Sequence, residues 1–343
     1  MTNLVTIGIP VFEAIDYIRA TLESALVQTY RDIEILVVDD CGGDGTISVV
    51  QQLQSEHPRG SDIRLLRNDA NHGVGYSRNR IIDEARGQYL YFLDSDDTIE
   101  ADTIELMMAA MTQHQAQVVY GSYEKIDTLY HSPTVSYVYP QKVFDGPDKL
   151  AAYAFSHSGG FQVSVCNTLF SLSFLRSTGV RFLDAMFWED MAFTYYLVTL
   201  VNCAVLLPRV TYHYLCRADS LSNYQDRAVL KREEILQNAS TVDYLKRMCY
   251  QLKDKSYAPY LSSYLQMVSF YIVCHVLKRY QYIMPPIKYG ELRQMMRHPV
   301  GIHTILGFKS KILTNLLSWL MGKLPVTLFI PIVRLLGRLK HAL

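Results

Sequence analysis

"QYLYFLDSDDTIE", residues 88–100, passes from an unbroken run of apolar and aromatic residues into Asp94, Asp96 and Asp97. A short apolar run without polar alternation reads as a strand buried on both faces of a sheet. Three carboxylates within four residues resist joint ionisation unless a cation, a set of donors or water compensates them. The stretch therefore reads as a central strand of a covered sheet that ends at a ligand site.

The chain on both sides repeats the pattern. "LVTIGIPV" (4–11) is a β-branched strand, and Ile15, Ile18, Leu22, Ala25 and Leu26 follow at helical spacing. "IEILVV" (33–38) is again a strand, and Asp44 and Thr46 are placed to cap a helix carrying Ile47, Val50 and Leu53. "IRLL" (63–66), a helix from about Tyr76, a helix from about Ala101 and "QVVYGSY" (117–123) continue the series. Buried strands separated by helices predict an α/β fold, a mainly parallel sheet with helices on both faces. In such sheets ligands bind beyond the carboxyl ends of the strands. "VVDD" puts Asp39 and Asp40 at one such end, and "FLDSDD" puts Asp94, Asp96 and Asp97 at another, so the two acidic ends are expected to share a cleft. If the chain stays extended through Ser95, Asp94 and Asp96 point to the same side.

The 343 residues are 49% hydrophobic, enough for a large core, and Lys plus Arg balances Asp plus Glu at 33 each. That balance argues against a general nucleic-acid binder. The distribution is uneven: from Ile287 onward there are nine basic residues and one acid, Glu291, leaving 24 basic and 32 acidic residues before it. The six cysteines form no C-x-x-C pair and "MTNLVTIGIPVF" has no signal-peptide pattern, so free thiols in the cytoplasm are expected and a zinc site is not suggested.

Hard divalent cations take carboxylate oxygens, and Mg²⁺ or Mn²⁺ held by one or two of them commonly bridges substrate phosphates. A single Asp would read more simply as a helix cap. Three of them, beside a second acidic pair, favour the metal. A calcium loop starting at Asp94 is excluded because Ile99 stands where its turn demands Gly. A response-regulator receiver is excluded because a whole strand and helix precede "ILVVDD" and the chain runs far past a receiver's length.

"VTIGIPVFEAIDYIRATLESALVQTYRDIEILVVDDCGGDGT", "NDANHGVGYSRNRIIDEARGQYLYFLDSDDTI" and "RFLDAMFWEDMAF" together resemble the family 2 glycosyltransferases with the GT-A fold, over roughly residues 3–220. The resemblance implies a domain over 1–225, with a helical C-terminal region over 226–343. It implies that Pro10, Phe12 and Asp40, with Asp39 beside it, hold the nucleotide base. It implies that Asn71, Gly73, Arg78 and Asn79 approach the sugar nucleotide, Arg78 near its diphosphate. Asp96 is then the leading ligand of Mn²⁺ or Mg²⁺, with Asp94 facing ribose or metal, Ser95 between them, and Asp97 either a further ligand or a cap. In "FWEDMAF" (187–193), Asp190 is the expected general base for the acceptor hydroxyl and Glu189 its orienting neighbour; His213 in "YHYLCRADSLS" (212–222) is a further metal candidate beside its reading as a packed residue. The glycines of "SGGFQVSVCNTLFS" (158–171) suggest a flexible loop where the family shapes its acceptor pocket.

"APYLSSYLQMVSFYIVCHVL" (258–277) is uncharged, but its Ser, Gln and His favour a buried or interfacial helix over a span. Farther on, Leu313, Leu316, Leu317, Leu320 and Met321 form an apolar stripe flanked by Lys309, Lys311 and Lys323, in runs shorter than the ~20 residues of a spanning helix. A basic amphipathic tail fits the anionic inner face of a cytoplasmic membrane, with a docking helix or dimer interface as the alternative. The expectation is thus an inverting, metal-dependent enzyme moving one sugar from a UDP-sugar to a glycan or lipid-linked acceptor. A non-catalytic sugar-nucleotide or glycan binder and a metal-dependent nucleotidyltransferase are the alternatives.

Overall fold

The computed structural model describes residues 3–127, 132–156, 161–185, 188–216 and 230–340. The chain divides into two compact units. The first holds residues 1–150, 163–184 and 197–220, and the second holds 151–162, 185–196 and 221–343. Parts of three quoted segments, residues 158–160, 186–187 and 217–222, lie outside the described residues.

In chain order the elements begin with β1 (Val5–Val11), α1 (Ile18–Leu26), β2 (Ile33–Asp39), α2 (Thr46–Glu56), β3 (Ile63–Arg67), α3 (Val74–Glu84) and β4 (Tyr89–Phe92). They continue with β5 (Thr98–Ile99), α4 (Thr103–His114), β6 (Val118–Asp127), β7 (Ser132–Tyr137), β8 (Lys142–Asp145), α5 (Lys149–Ser156), β9 (Thr168–Ser171), α6 (Leu172–Thr178), α7 (Glu189–Leu197) and β10 (Cys203–Cys216). Helical structure dominates thereafter: β11 (Leu230–Lys231), α8 (Arg232–Gln251), α9 (Ala258–Lys278), β12 (Ile283–Met284), α10 (Tyr289–Met295), α11 (Ile302–Leu306), α12 (Ile312–Met321) and α13 (Val326–Leu339).

The sheet of the first unit runs β3-β2-β1-β4-β9-β6-β10-β5, with β7 beside β6 and β8 beside β10. It is mixed and mostly parallel. β3, β2, β1 and β4 are mutually parallel, and β6 pairs parallel with β10. β9 is inserted antiparallel between β4 and β6, so both flanking blocks still point the same way. The glycines that suggest a loop over 158–171 lie outside the described residues, but the end of that segment is a strand, with Thr168, Leu169 and Phe170 buried and continuing the sheet. β1 and β2 are buried at every position, which is why their sequences do not alternate. The helices cover them through regularly spaced apolar residues, Ile18, Leu22 and Ala25 in α1 and Ile81 and Ile82 in α3.

The second unit is built on α8 and α9. In α9, 13 of 21 residues are buried, among them Leu261, Leu265, Val273 and Val276, so its low charge serves packing. It is also long and apolar enough to cross a membrane by length and composition alone. Ala258, Val300, Ile305 and Phe308 form a smaller core that Leu316 and Trp319 of α12 cover.

Candidate active site

Parallel register brings the carboxyl ends of β1, β2 and β4 to one edge. Val11 lies beside Asp39 and Gly8 beside Phe92. The ladder continues one residue farther, with Asp40 N–H donating to Val11 C=O (2.8 Å), Asn68 N–H to Asp39 C=O (2.8 Å) and Leu93 N–H to Gly8 C=O (3.1 Å). Phe12, the Asp39–Asp40 pair, Asn68 and the Asp94–Asp97 stretch therefore leave the sheet side by side. Pro10 is buried in β1, whereas Phe12 is 44% exposed, so its ring is not a core side chain.

Asp40 is buried and braces the loop that opens α3. Its Oδ1 accepts from Asn68 Nδ2 (2.6 Å) and His72 N–H (3.1 Å), and its Oδ2 accepts from Gly73 N–H (2.7 Å). Asn71 Oδ1 also accepts from Gly73 N–H (3.1 Å). Gly73 starts the helix at φ +86°, a left-handed backbone that glycine adopts without a Cβ penalty. Asp39 is also buried, and its Oδ1 takes Gly42 N–H (3.1 Å). Its Oδ2 has no hydrogen-bond donor. The nearest cation is Arg67 Nε at 3.1 Å, an ion pair without hydrogen-bond geometry, from a side chain that is 60% exposed. The open acceptor of the pair is thus on Asp39 rather than on Asp40, to which the resemblance assigns the base.

A hydrogen-bonded path links the two acidic groups through α3. Asn68 Nδ2 reaches both Asp40 and Ser77 Oγ (3.0 Å), and the next residue, Arg78, donates from Nη2 to Asp94 Oδ1 (2.8 Å). Arg78 is buried, with its guanidinium 5.6 Å from the Phe182 ring centre, and Asn79 exchanges two 2.9 Å bonds with the Phe182 backbone. Arg78 is therefore paired with Asp94 inside the site. That position explains how its charge reaches the edge without the side chain lying on the surface.

The stretch through Ser95 is a turn, not an extended strand: Asp97 N–H donates to Asp94 C=O (3.2 Å), and Ser95 C=O accepts from Thr21 Oγ1 (3.0 Å). Side-chain alternation consequently does not apply there. Asp94 and Asp96 are half-buried at the edge, while Asp97 turns inward and is 1% exposed. Its Oδ2 accepts from Tyr212 O–H (2.5 Å) and its Oδ1 from Leu215 N–H (2.8 Å). Burial, followed by the nearby charges of Asp96 and Asp94, raises its carboxyl well above the usual range. Asp97 fastens the turn to β10 and is neither a helix cap nor turned outward as a ligand. Tyr212, which has no role in the sequence reading although its neighbour His213 does, supplies that fastening.

His213 is held between two carboxylates, Nδ1 at 2.9 Å from Glu124 and Nε2 at 2.8 Å from Glu100. Both ring nitrogens are engaged, which supports the packed reading of this residue. Glu189 and Asp190 open α7 in the second unit; Glu189 is buried, and Asp190 Oδ1 accepts from Met191 N–H (2.7 Å). Trp188, just before them, adopts φ +65°, a rare backbone for a bulky residue.

Whether a divalent cation fits can be tested on the carboxylates themselves. No group of three His, Cys, Asp or Glu side chains among the described residues is arranged to hold an ion. Asp94 and Asp96 offer two oxygen-bearing side chains at the edge, beside a third acid that their charge perturbs. Two carboxylates with the remaining positions filled by diphosphate oxygens and water is the usual way Mg²⁺ or Mn²⁺ is bound with a nucleotide, so the residues fit.

Comparison with known proteins bears on the family and the fold. The model of the family described as Glycosyl transferase family 2 matches residues 6–167. TuaG of Bacillus subtilis (strain 168), named for teichuronic acid biosynthesis, is 32% identical over 143 residues, 39% of this chain and 56% of TuaG. The Escherichia coli UDP-Glc:alpha-D-GlcNAc-diphosphoundecaprenol beta-1,3-glucosyltransferase WfgD is 35% identical over 140 residues, 41% of this chain and 53% of WfgD. The chain thus spans about half the length of these curated relatives. Among solved structures, S. aureus TarS 1-349 in complex with UDP-GlcNAc superposes with a TM-score of 0.64 at 16% identity, over 94% of this chain and 90% of TarS 1-349. The mannosyltransferase PcManGT from Pyrobaculum calidifontis, in complex with GDP-Man and Mn²⁺, gives a TM-score of 0.51 at 16% identity, over 81% and 74%. These two likenesses establish the GT-A type of fold.

Proposed function

We propose, for a chain whose residues 6–167 match the model of the family 2 glycosyltransferases, that the protein moves a single sugar from a UDP-sugar to a hydroxyl of a glycan or lipid-linked oligosaccharide. Bacterial cell-surface polysaccharide biosynthesis is the setting that its relatives' names support. The observation that carries the reading is the shared strand edge, where a buried Asp39 oxygen without a donor lies next to Asp40, and Asp40 is linked to Asp94 through Asn68 and the Ser77–Arg78 turn of α3.

Each part has a task on that reading. Phe12 gives an exposed ring for a base to pack on, and Asp39 Oδ2 accepts from a ring N–H once the exposed Arg67 arm moves aside. Asp40 keeps the 71–73 loop and the α3 N-terminus in place. Asp96 and Asp94 would hold Mn²⁺ or Mg²⁺, which when bound supplies positive charge to the leaving nucleoside diphosphate. Arg78 fixes the orientation of Asp94. Asp190 takes the proton of the acceptor hydroxyl as its oxygen attacks the anomeric carbon and the bond to the diphosphate breaks, a single displacement with inversion. Glu189 orients that helix end.

α12 and α13 bear on the location. Leu313, Leu317 and Leu320 in α12 and Leu328, Leu335 and Leu339 in α13 are exposed at helical spacing, among Lys309, Lys311, Lys323, Arg334 and Arg338. An apolar stripe beside cations suits the anionic inner leaflet of a cytoplasmic membrane, where a lipid-linked acceptor would be met. Leu313→Ser with Leu317→Ser and Leu335→Ser should release the protein from anionic vesicles; undiminished cosedimentation would remove this part of the proposal.

The reaction is tested by incubating the protein with a panel of nucleotide sugars and Mn²⁺ and identifying the released product. Free UDP supports transfer, pyrophosphate indicates a nucleotidyltransferase, and binding without release indicates a non-catalytic binder. Asp190→Ala should abolish transfer and keep donor binding; loss of donor binding there would overturn its assignment as base.

A further inference from the structure

The second unit contains a groove of about 970 Å³ whose walls come from α8, α10, the loop that follows it and the end of α12. Five cations line it, Lys246, Arg247, Arg293, Arg297 and Lys323, against a single acid, Asp243. The acid nearest in sequence to the two central arginines is committed elsewhere: Glu291 pairs with Arg232 (2.5 Å) and accepts from Lys288 N–H (2.8 Å). Among the described residues, Arg247, Arg293, Arg297 and Lys323 form no ion pair with a carboxylate. Lys246 is 6% exposed, and its ammonium has one acceptor, Met295 C=O at 2.5 Å, for three N–H groups. Burial pulls it down to about 8, against the opposing pull of Asp243. The wall is close-packed as well: a Cβ on Gly322 would stand 2.6 Å from Met296 C=O.

We propose that this groove binds the phosphate or diphosphate of a lipid, with Arg293, Arg297 and Lys246 as its principal donors. Guanidinium forks match phosphate oxygens two at a time, and a buried ammonium with unfilled donors gains most from an anion. The volume exceeds that of a bare phosphate and leaves room for an attached glycerol or sugar, next to the Tyr250 and Trp319 rings that also line it. The lipid source follows from the same unit's exposed leucines in α12 and α13, which would bring the groove to a bilayer surface. The inference rests on that membrane-facing part of the proposed function and is independent of the transfer reaction.

The test uses the full chain. Binding of inorganic pyrophosphate is measured by calorimetry in EDTA, which silences metal-dependent binding at the sheet edge. Cosedimentation is measured with phosphatidylcholine vesicles with and without phosphatidylglycerol. Arg293→Gln with Arg297→Gln should weaken pyrophosphate binding about tenfold or more and abolish the preference for anionic vesicles, while R293K with R297K keeps part of both. Wild-type affinity in the Gln pair, or no pyrophosphate binding by the wild type at millimolar concentration, would overturn the proposal. Where the groove does bind, displacement from anionic vesicles by pyrophosphate identifies a bilayer headgroup as the occupant. Pyrophosphate binding without displacement identifies the diphosphate of a lipid-linked molecule. UDP binding with Mn²⁺ on the same variants should equal the wild type's, so failure at the groove and failure at the donor site are read separately.

Discussion

Asp97 in the first unit and Lys246 in the second present one physical problem with opposite signs. Each is a buried charge that desolvation pushes toward its neutral form, up for the carboxyl and down for the ammonium. Asp97 is served by two donors from β10 and lies beside Asp96 and beside Asp94, which is paired with Arg78. Lys246 has one acceptor and lies beside arginines that need an anion. A buried charge next to more accessible charges of its own sign is a place where a bound counter-charge gains most, and the two proposals assign a cation to the first unit and an anion to the second.

The largest effect should separate Asp97 from its neighbour. Asp96→Asn should lower kcat/KM by about 10³-fold if Asp96 holds the cation as proposed, and Asp97→Asn by less than about tenfold, because its task is to hold the turn. Equal losses would show that Asp97 touches the reacting groups and would break the comparison.

Stability should register Asp97 next. Asp97→Ala strands the Tyr212 O–H and the Leu215 N–H, a loss of about 2–3 kcal/mol in denaturant unfolding. Because the folded-state pKa of Asp97 is raised, its favourable contribution is complete below the ordinary carboxylate range and is lost as pH rises through the raised value. Wild type should therefore lose ground to Asp97→Asn as the pH increases.

Lys246→Met should act in the other direction, stabilising the protein by about 1–2 kcal/mol at pH 7, since removing the desolvated charge outweighs the cost of leaving Met295 C=O without its donor. The folded pKa is depressed from 10.5 to about 8, so the penalty is full below 8 and vanishes as pH rises toward 10.5. The gain should close over that interval, with Asp243 and the neighbouring His298 as the other titrating groups near the ammonium. Saturating pyrophosphate should close it as well. Arg67→Ala gives the smallest change, within about 0.5 kcal/mol, because its pair with Asp39 is carried by an exposed arm. UDP affinity should be kept or improved, and a marked loss would mean that Arg67 itself contacts the nucleotide.

Much of the first unit was legible because its signals are local. Unbroken apolar strands, helical spacing and acids at strand ends follow from neighbours in the chain, and Asp39, Asp40, Asp94 and Asp96 were all singled out that way. What each acid does was not legible. The Ser95 turn, the engagement of Asp40 by the 71–73 loop and the fastening of Asp97 by Tyr212 depend on residues up to 118 positions away. The antiparallel insertion of β9 was missed for the same reason: its four residues are a strand only because β4 and β6 flank them.

The basic tail was visible in the composition, but the groove was not. Its cations are spread from position 246 to 323, on segments whose spacing carries no motif. By itself, then, the sequence determined the strand–helix series, the acidic edge and the excess of positive charge near the C-terminus, since periodicity and residue type are properties of the chain. The tertiary structure alone decided which oxygen of the Asp39–Asp40 pair stays open, which of three adjacent acids turns inward, and which cations share a groove. Those outcomes depend on burial and on donors brought from distant segments, which no local spacing encodes.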